Sequence, residues 1–378
     1  MLSNRSRFLD ALRGGAPKPP PAAPLYLSLY LEPRRRRLLA GVYGEMAEGD
    51  SHLRLTFEEE IEAQLESLDR ALSIFAEPPA WLPLGLGATR DSVHGAKVTF
   101  PTGQCLWHGP CGRDSVDYLG PFDSCHRDVW ELERLPTAQQ IATEPPPASA
   151  ETYESLGCLE YTRQAVHRFG ERTVPCGHLG SPFWHCYARL GFVGMMQALH
   201  EDPALIEAVC ARDLQTLLSI GEALWNAGVR CVFVEECLSS SDLISVQDYQ
   251  RFAFPATQSL LAGLKALGFS VVYYFCGGIE GRLPSLAQLP ADALAFEESK
   301  KGFIIDLARI RAEIGPDKLL FGNLDVTLLR DGTEAQIAAE VARQYATAGQ
   351  RFVASTGSPV TLDTPPEKVD MLVRAVAL

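Results

Sequence analysis

Positive charge is scarce in this sequence: 34 lysines and arginines stand against 47 acidic residues, a formal net charge of −13 over 378 residues. That balance argues against a nucleic-acid partner, because phosphate binding needs clustered Lys and Arg. The one basic run, Arg34 to Arg37, is short and flanked by apolar sequence, and reads as a solvated face or, as the rival, a phosphate or partner patch. No stretch approaches the roughly 18 uninterrupted apolar residues of a membrane span. The opening "MLSNRSRFLDALRGG" lacks the apolar core of a signal peptide. A glycine fingerprint for dinucleotides or nucleoside triphosphates is missing too, since "GPCGRD" and "CGGIEG" fit neither pattern. No histidine follows His200, and the ten cysteines are scattered without a paired framework. They are expected to be free thiols in a reducing compartment. The expectation is a soluble, cytoplasmic protein that takes a small molecule, with neither nucleic acid nor membrane as partner.

What is present is a core and a rhythm. Hydrophobic residues make up 46% of the chain, enough to bury a large interior. A first helix around Arg5 to Arg13 leads through the proline-rich "APKPPPAAP" to a strand expected at "LYLSLYL", 25–31. Thr56 and Glu59 form a capping box for an amphipathic helix over 53–77. Residues 78–148 differ in texture: glycines, prolines, a hairpin at "KVTFPTGQCLW" and the connector "TEPPPAS". This reads as a β-rich excursion over the barrel mouth. From 151 on, helices alternate with short strands at "RTVPCGHLG", "RCVFVEE", "SVVYYFCGG", "DALAFEE", "KLLFGN" and "RFVAST". With "LYLSLYL" and "WLPLGLG" these make eight βα units, which predicts one α/β domain, a TIM (β/α)8 barrel with an N-terminal helical extension over 1–24.

Chemistry in such a barrel belongs at the C-terminal strand ends. Those ends carry Ser28 and Tyr30, His178, Glu235 and Glu236, Cys276, Glu297 and Glu298, Asn323, and Ser355 to Ser358. Neighbours on a strand face opposite sides, so one of Glu235 and Glu236 points into the mouth. It is then a ligand or an acid/base group; otherwise the pair is one surface and one capping carboxylate. Cys276 ends its strand just before Gly277 and Gly278, which let the backbone bend tightly behind it. Its thiol reads as a buried hydrophobe, a metal ligand or a nucleophile. His178, with Trp184 and His185 close behind in "CGHLGSPFWHC", fits the wall of an aromatic-lined pocket.

Four segments in order are similar to the uroporphyrinogen decarboxylase superfamily: "GSPFWHCYARLGFVGMMQALHEDPALIEAV", "LISVQDYQRFAFP", "FGNLDVTLLRDGTEAQIAAEV" and "TPPEKVDMLVRAV". The superfamily contains the decarboxylase of haem synthesis and cobalamin-dependent methyltransferases. "LYLSLYLEPRRRR" does not match the decarboxylase's arginine motif, so the resemblance points to the methyltransferase branch. There, the cysteine strand ends His-x-Cys-Gly and a second cysteine comes from the last loop, together holding zinc. Here Tyr274 stands in the histidine's place and Ser358 near the second cysteine's.

The resemblance therefore implies a harder zinc site of Cys276, Glu236 and Glu298. Tyr274, with Glu235 and Glu236, would handle the proton of a departing phenolate. Tyr30, His178, Trp184, Asn323 and Ser358 would bind substrate. The implied reaction moves a methyl group from a methoxy-aromatic to cobalamin on a separate corrinoid protein, since no Asp-x-His-x-x-Gly stretch occurs in this chain. A metal-free decarboxylase or lyase, and a non-catalytic binding protein, are the rival readings.

Overall fold

The computed structural model describes residues 2–46, 56–87, 90, 96–99, 104–108, 114–118 and 134–376. Among them, seven parallel strands form one sheet in the order β1 (Trp81–Leu84), β5 (Val174–Gly180), β6 (Cys231–Glu236), β7 (Ser270–Phe275), β8 (Ala293–Phe296), β9 (Leu319–Phe321) and β10 (Phe352–Val353). Strands β2 (Ala96–Thr99), β3 (Gln104–His108) and β4 (Asp114–Tyr118) form a separate antiparallel sheet, which includes the expected hairpin. The loops that tie it to the barrel, and with them its expected place over the mouth, lie outside the described residues.

The strand expected at 25–31 is a correction. Leu27 opens a helix, α2 (Leu27–Met46), after α1 (Asn4–Leu12). "LYLSLYL" satisfies two periods at once, and the helical one wins: Leu27, Tyr30 and Leu31 are buried while Leu29 is exposed. The eighth barrel position falls instead to residues 21–24, inside the proline-rich connector. Ala354 N donates to Pro21 O at 2.9 Å, and Ala23 N to Ala354 O at 2.8 Å. On the other flank, side chains replace a ladder. The Asn4 amide bonds both the N–H and the C=O of Ala22, at 2.8 and 2.9 Å, and Trp81 Nε1 donates to Pro24 O at 2.9 Å.

Strand parity sorts the core into two shells. Inside the barrel lie Val174, Cys176, Cys231, Phe233, Val272, Tyr274, Ala293, Ala295, Leu319, Phe321 and Val353. Their neighbours, among them Leu179, Val232, Val234, Tyr273, Phe275 and Phe296, pack outward against the helices. Phe8 of α1 closes the lower end with edge contacts to Trp81 and Phe321, ring centroids 5.7 and 6.1 Å apart.

The flanking helices obey local signals. Helix α3 (Phe57–Leu72) has the Thr56–Glu59 capping box, and α4 (Pro182–Leu190) starts on Ser181. Helix α5 (Pro203–Asn226) takes Asp202 as N-cap with proline behind it, and α6 (Glu334–Ala348) has a Thr333–Gln336 box. No described helix is long and apolar enough to cross a membrane.

Candidate active site

Continuing the inward parity one step past the packed interior brings His178, Glu235, Cys237 and Cys276 to the mouth. Tyr26 reaches the same place from the seam. Its backbone sits in the left-handed region at φ 53°, an uncommon conformation for a residue with a Cβ and one that collects at functional sites. There its ring lies edge-on to His178, Phe233 and Tyr274, at centroid distances of 5.7, 5.4 and 5.5 Å. Its hydroxyl donates a short hydrogen bond to Glu235 Oε2. Burial, then the nearby Cys237 and Glu235, holds that phenol protonated well above its ordinary range, so Tyr26 is a fixed donor.

His178 Nε2 lies 3.3 Å from the same Glu235 oxygen. It is out of line for a hydrogen bond and buried without another partner. Of these three residues His178 is the one that lines a cavity of about 460 Å3, which runs between α2, α3 and the chain after β1. Tyr26, Glu235 and His178 thus form a chain from a locked phenol through a carboxylate to an imidazole at a ligand-sized space.

Glu235 and Glu236 part company as parity requires. Glu236 is fully buried on the outer face of β6, where it accepts from Ser181 Oγ and, at 2.7 Å, from Leu238 N. Burial pushes its pKa up to about 7, against the pull of those hydrogen bonds. It ties the start of α4 to the turn after β6 and does not reach the mouth.

The other expected residues are placed as follows. Tyr274 is buried with its hydroxyl donating to Gly357 O at 2.9 Å, and its ring stacks on Phe233 at 5.9 Å. Burial pushes this phenol well above its usual range too. Tyr30 donates to Thr364 O at 2.6 Å and stacks on Phe75, away from the cavity. Asn323 donates to Glu297 O at 3.2 Å. Ser358 donates to Glu298 Oε2 at 2.6 Å and accepts from Lys300 at 2.7 Å. Trp184 packs on His185 and Tyr187 in α4 and is not among the residues lining the cavity.

Cys276 has a neighbour that sequence reasoning passed over. Cys276 N donates to Glu236 O at 2.9 Å, continuing the β6–β7 register, which sets Cys237 beside it. The neighbouring Cys276 thiol, together with burial, raises the Cys237 pKa. Gly277, at φ 88°, bends behind them as expected: a Cβ there would meet Ser240 Cβ at 2.5 Å.

Zinc needs three or four donors at about 2.0–2.3 Å. Cys276, Glu236 and Glu298 do not converge: the first pairs with Cys237, the second faces outward and the third is held by Ser358 and Lys300. Among the described residues no three His, Cys, Asp or Glu side chains form a group suited to a metal ion. The described residues do not fit zinc.

The family model for "Uroporphyrinogen decarboxylase (URO-D)" matches residues 131–377. The chain belongs to the uroporphyrinogen decarboxylase family. Curated proteins similar to this chain carry two different activities. The uroporphyrinogen decarboxylase of Dechloromonas aromatica is 26% identical over 272 residues, 68% of this chain and 71% of the relative. The methylated-thiol–coenzyme M methyltransferase of Methanosarcina mazei is 26% identical over 198 residues, 52% of this chain and 51% of the relative. A solved methyltransferase from Methanosarcina mazei superposes with a TM-score of 0.64 at 18% identity, covering 100% of this chain and 98% of its own. That likeness shows the α/β, TIM-barrel-like fold.

Proposed function

We propose that this family member is a methyltransferase that takes the methyl group of a small methoxy-aromatic, bound in the cavity beside His178, and passes it to cobalamin carried by a partner corrinoid protein. The observation that carries the reading is the Tyr26–Glu235–His178 chain ending at that cavity. Breaking an aryl–oxygen–methyl linkage leaves the electron pair on oxygen, so a positioned acid lowers the barrier by protonating it. His178, as imidazolium, gives its proton to the departing phenolate oxygen. Glu235 supports the positive charge on the ring and Tyr26 holds Glu235 in place. The reduced corrinoid supplies the nucleophile that accepts the methyl group.

Tyr274, with its hydroxyl committed to Gly357, is assigned to the floor of the mouth rather than to proton transfer. Since the described donors do not fit zinc, the mechanism runs through the chain's own side chains. The protein is expected to work outside membranes, on a small substrate, with the corrinoid protein as its partner.

The test is formation of methylcobalamin from reduced cobalamin and methoxy-arenes, followed by absorbance. Wild type is expected to form it, and His178→Ala and Glu235→Gln to lose it. Carboxyl loss from a porphyrinogen with no methyl transfer from any donor would overturn the reading in favour of decarboxylation.

A further inference from the structure

The lower end of the barrel holds a second cavity, of about 550 Å3, which the reaction at the mouth does not use. Its walls are the end of α1 and the entries to β7, β8, β9 and β10. Ser270 lines it, and at about 3.3 Å per residue it lies roughly 20 Å below Cys276 along β7. The packed interior of the barrel stands between the two cavities. Arg13, Lys265, Lys318 and Arg351 line the lower one, against Asp292 and Asp317. In a chain of net charge −13, such a concentration of cations is out of character.

Their bonding makes this more than a count. Lys265 is neutralised by Asp292, whose two oxygens lie 2.7 and 2.8 Å from its Nζ. Lys318 and Arg351 are held by carbonyl groups instead. Lys318 Nζ donates to Ala287 O at 2.8 Å and to Leu289 O at 2.6 Å. Arg351 Nη1 donates to Ala11 O and Gly15 O, both at 2.6 Å, and Nε to Asp317 O at 3.0 Å. Arg311 stands behind them, bonded to the carbonyls of Lys318 and Arg351 at 2.8 Å. Asp317, Asp292 and Asp10 act on Arg351 from a distance, yet burial still lowers the pKa of Arg351, as it does for Lys318 and Arg311. Carbonyls fix these side chains in place and leave their charges uncancelled. Ser270, inward by parity with Val272 and Tyr274, adds a hydroxyl.

We propose that this lower cavity binds a phosphate-type oxyanion, free or carried on a small molecule, through Arg13, Lys318, Arg351 and the Ser270 hydroxyl. The lining cations exceed the lining carboxylates by two, and Asp10 offsets Arg311 behind them, so a dianion matches the surplus. The site is separate from the mouth and does not depend on which reaction runs there. The test is calorimetric titration of the whole protein, at pH 8 and fixed ionic strength, with inorganic phosphate and with glycerol 3-phosphate. One site per chain with a Kd below about 1 mM is expected for at least one of them. Tighter phosphate identifies a free anion, and a tighter ester identifies a phosphorylated small molecule.

Two exposed positions give changes of opposite sign, which a folding defect cannot mimic. Arg13→Gln should weaken binding about tenfold, and Asp317→Asn, which removes a repelling carboxylate, should tighten it about threefold. No saturable binding of either compound by wild type would overturn the proposal. So would an affinity left unmoved by either variant. An affinity lost in Arg35→Gln, at the cavity beside His178, would move the anion to the other end of the barrel and overturn it as well.

Discussion

The two ends of the barrel are built by the same strands and each carries a pair of cysteines, yet they are chemically unlike. At the lower end Cys176 and Cys231 lie 3.6 Å apart, fully buried under Phe8, Trp81 and Phe321. Six residues farther along β6 and its exit, Cys237 meets Cys276, both only partly buried, in company with Tyr26, His178 and Glu235. The lower pair is sealed by α1 and surrounded by apolar side chains, so its thiols act as small hydrophobes. At the upper end the inward positions turn polar, and one of them, His178, lines the ligand-sized cavity. Strand identity does not decide reactivity here; height along the strand does.

That contrast is broken or sharpened by four substitutions. Glu235→Gln preserves shape and the Tyr26 contact while removing the charge behind His178. It should lower kcat/KM for methyl transfer about a thousandfold, or about 4 kcal/mol, in steady-state assays with an unchanged thermal midpoint. Next, Phe8→Ala opens the sealed end. A loss of about 3.5 kcal/mol in urea unfolding is expected, with kcat intact in protein that remains folded. A comparable loss of kcat would mean that the two ends are not separable.

Glu236→Gln tests the outer carboxylate. With a folded pKa of about 7 against an ordinary 4.5, the unfolded chain ionises first as pH rises. Wild-type stability from this group is therefore full below pH 4.5 and falls until pH 7. The variant should match wild type near pH 4.5 and exceed it at pH 8 by about 3 kcal/mol, read from urea midpoints. A variant as pH-sensitive as wild type would refute the assignment. Tyr26→Phe should have the smallest effect, about tenfold on kcat; no change would remove Tyr26 from the chain.

Most of the fold was legible because alternating helices and short β-rich strands leave a strong pattern. Seven strands were read from "WLPLGLG" to "RFVAST". The seam was not legible. Residues 21–24 carry two prolines and two alanines, and their pairing depends on Asn4, Trp81 and Ala354, which no local pattern announces. Parity showed that only one of Glu235 and Glu236 enters the mouth, but not which. Choosing needed the register of β5, β6 and β7. Cys237 was hidden for the same reason: its partner Cys276 is adjacent only once β6 and β7 are aligned.

The seam also sets the order in which the molecule becomes itself. Ser355 Oγ bonds Ala23 O across 332 residues of sequence, and Leu25 N bonds Thr356 Oγ1 across 331. Closing contacts so distant costs loop entropy that the local βα units do not have to meet. Tyr26 hangs directly from those bonds. A chain with its local βα units formed but its seam still open would have no Tyr26 beside Glu235. Assembly of the proton chain then reports completion of the barrel, not its start.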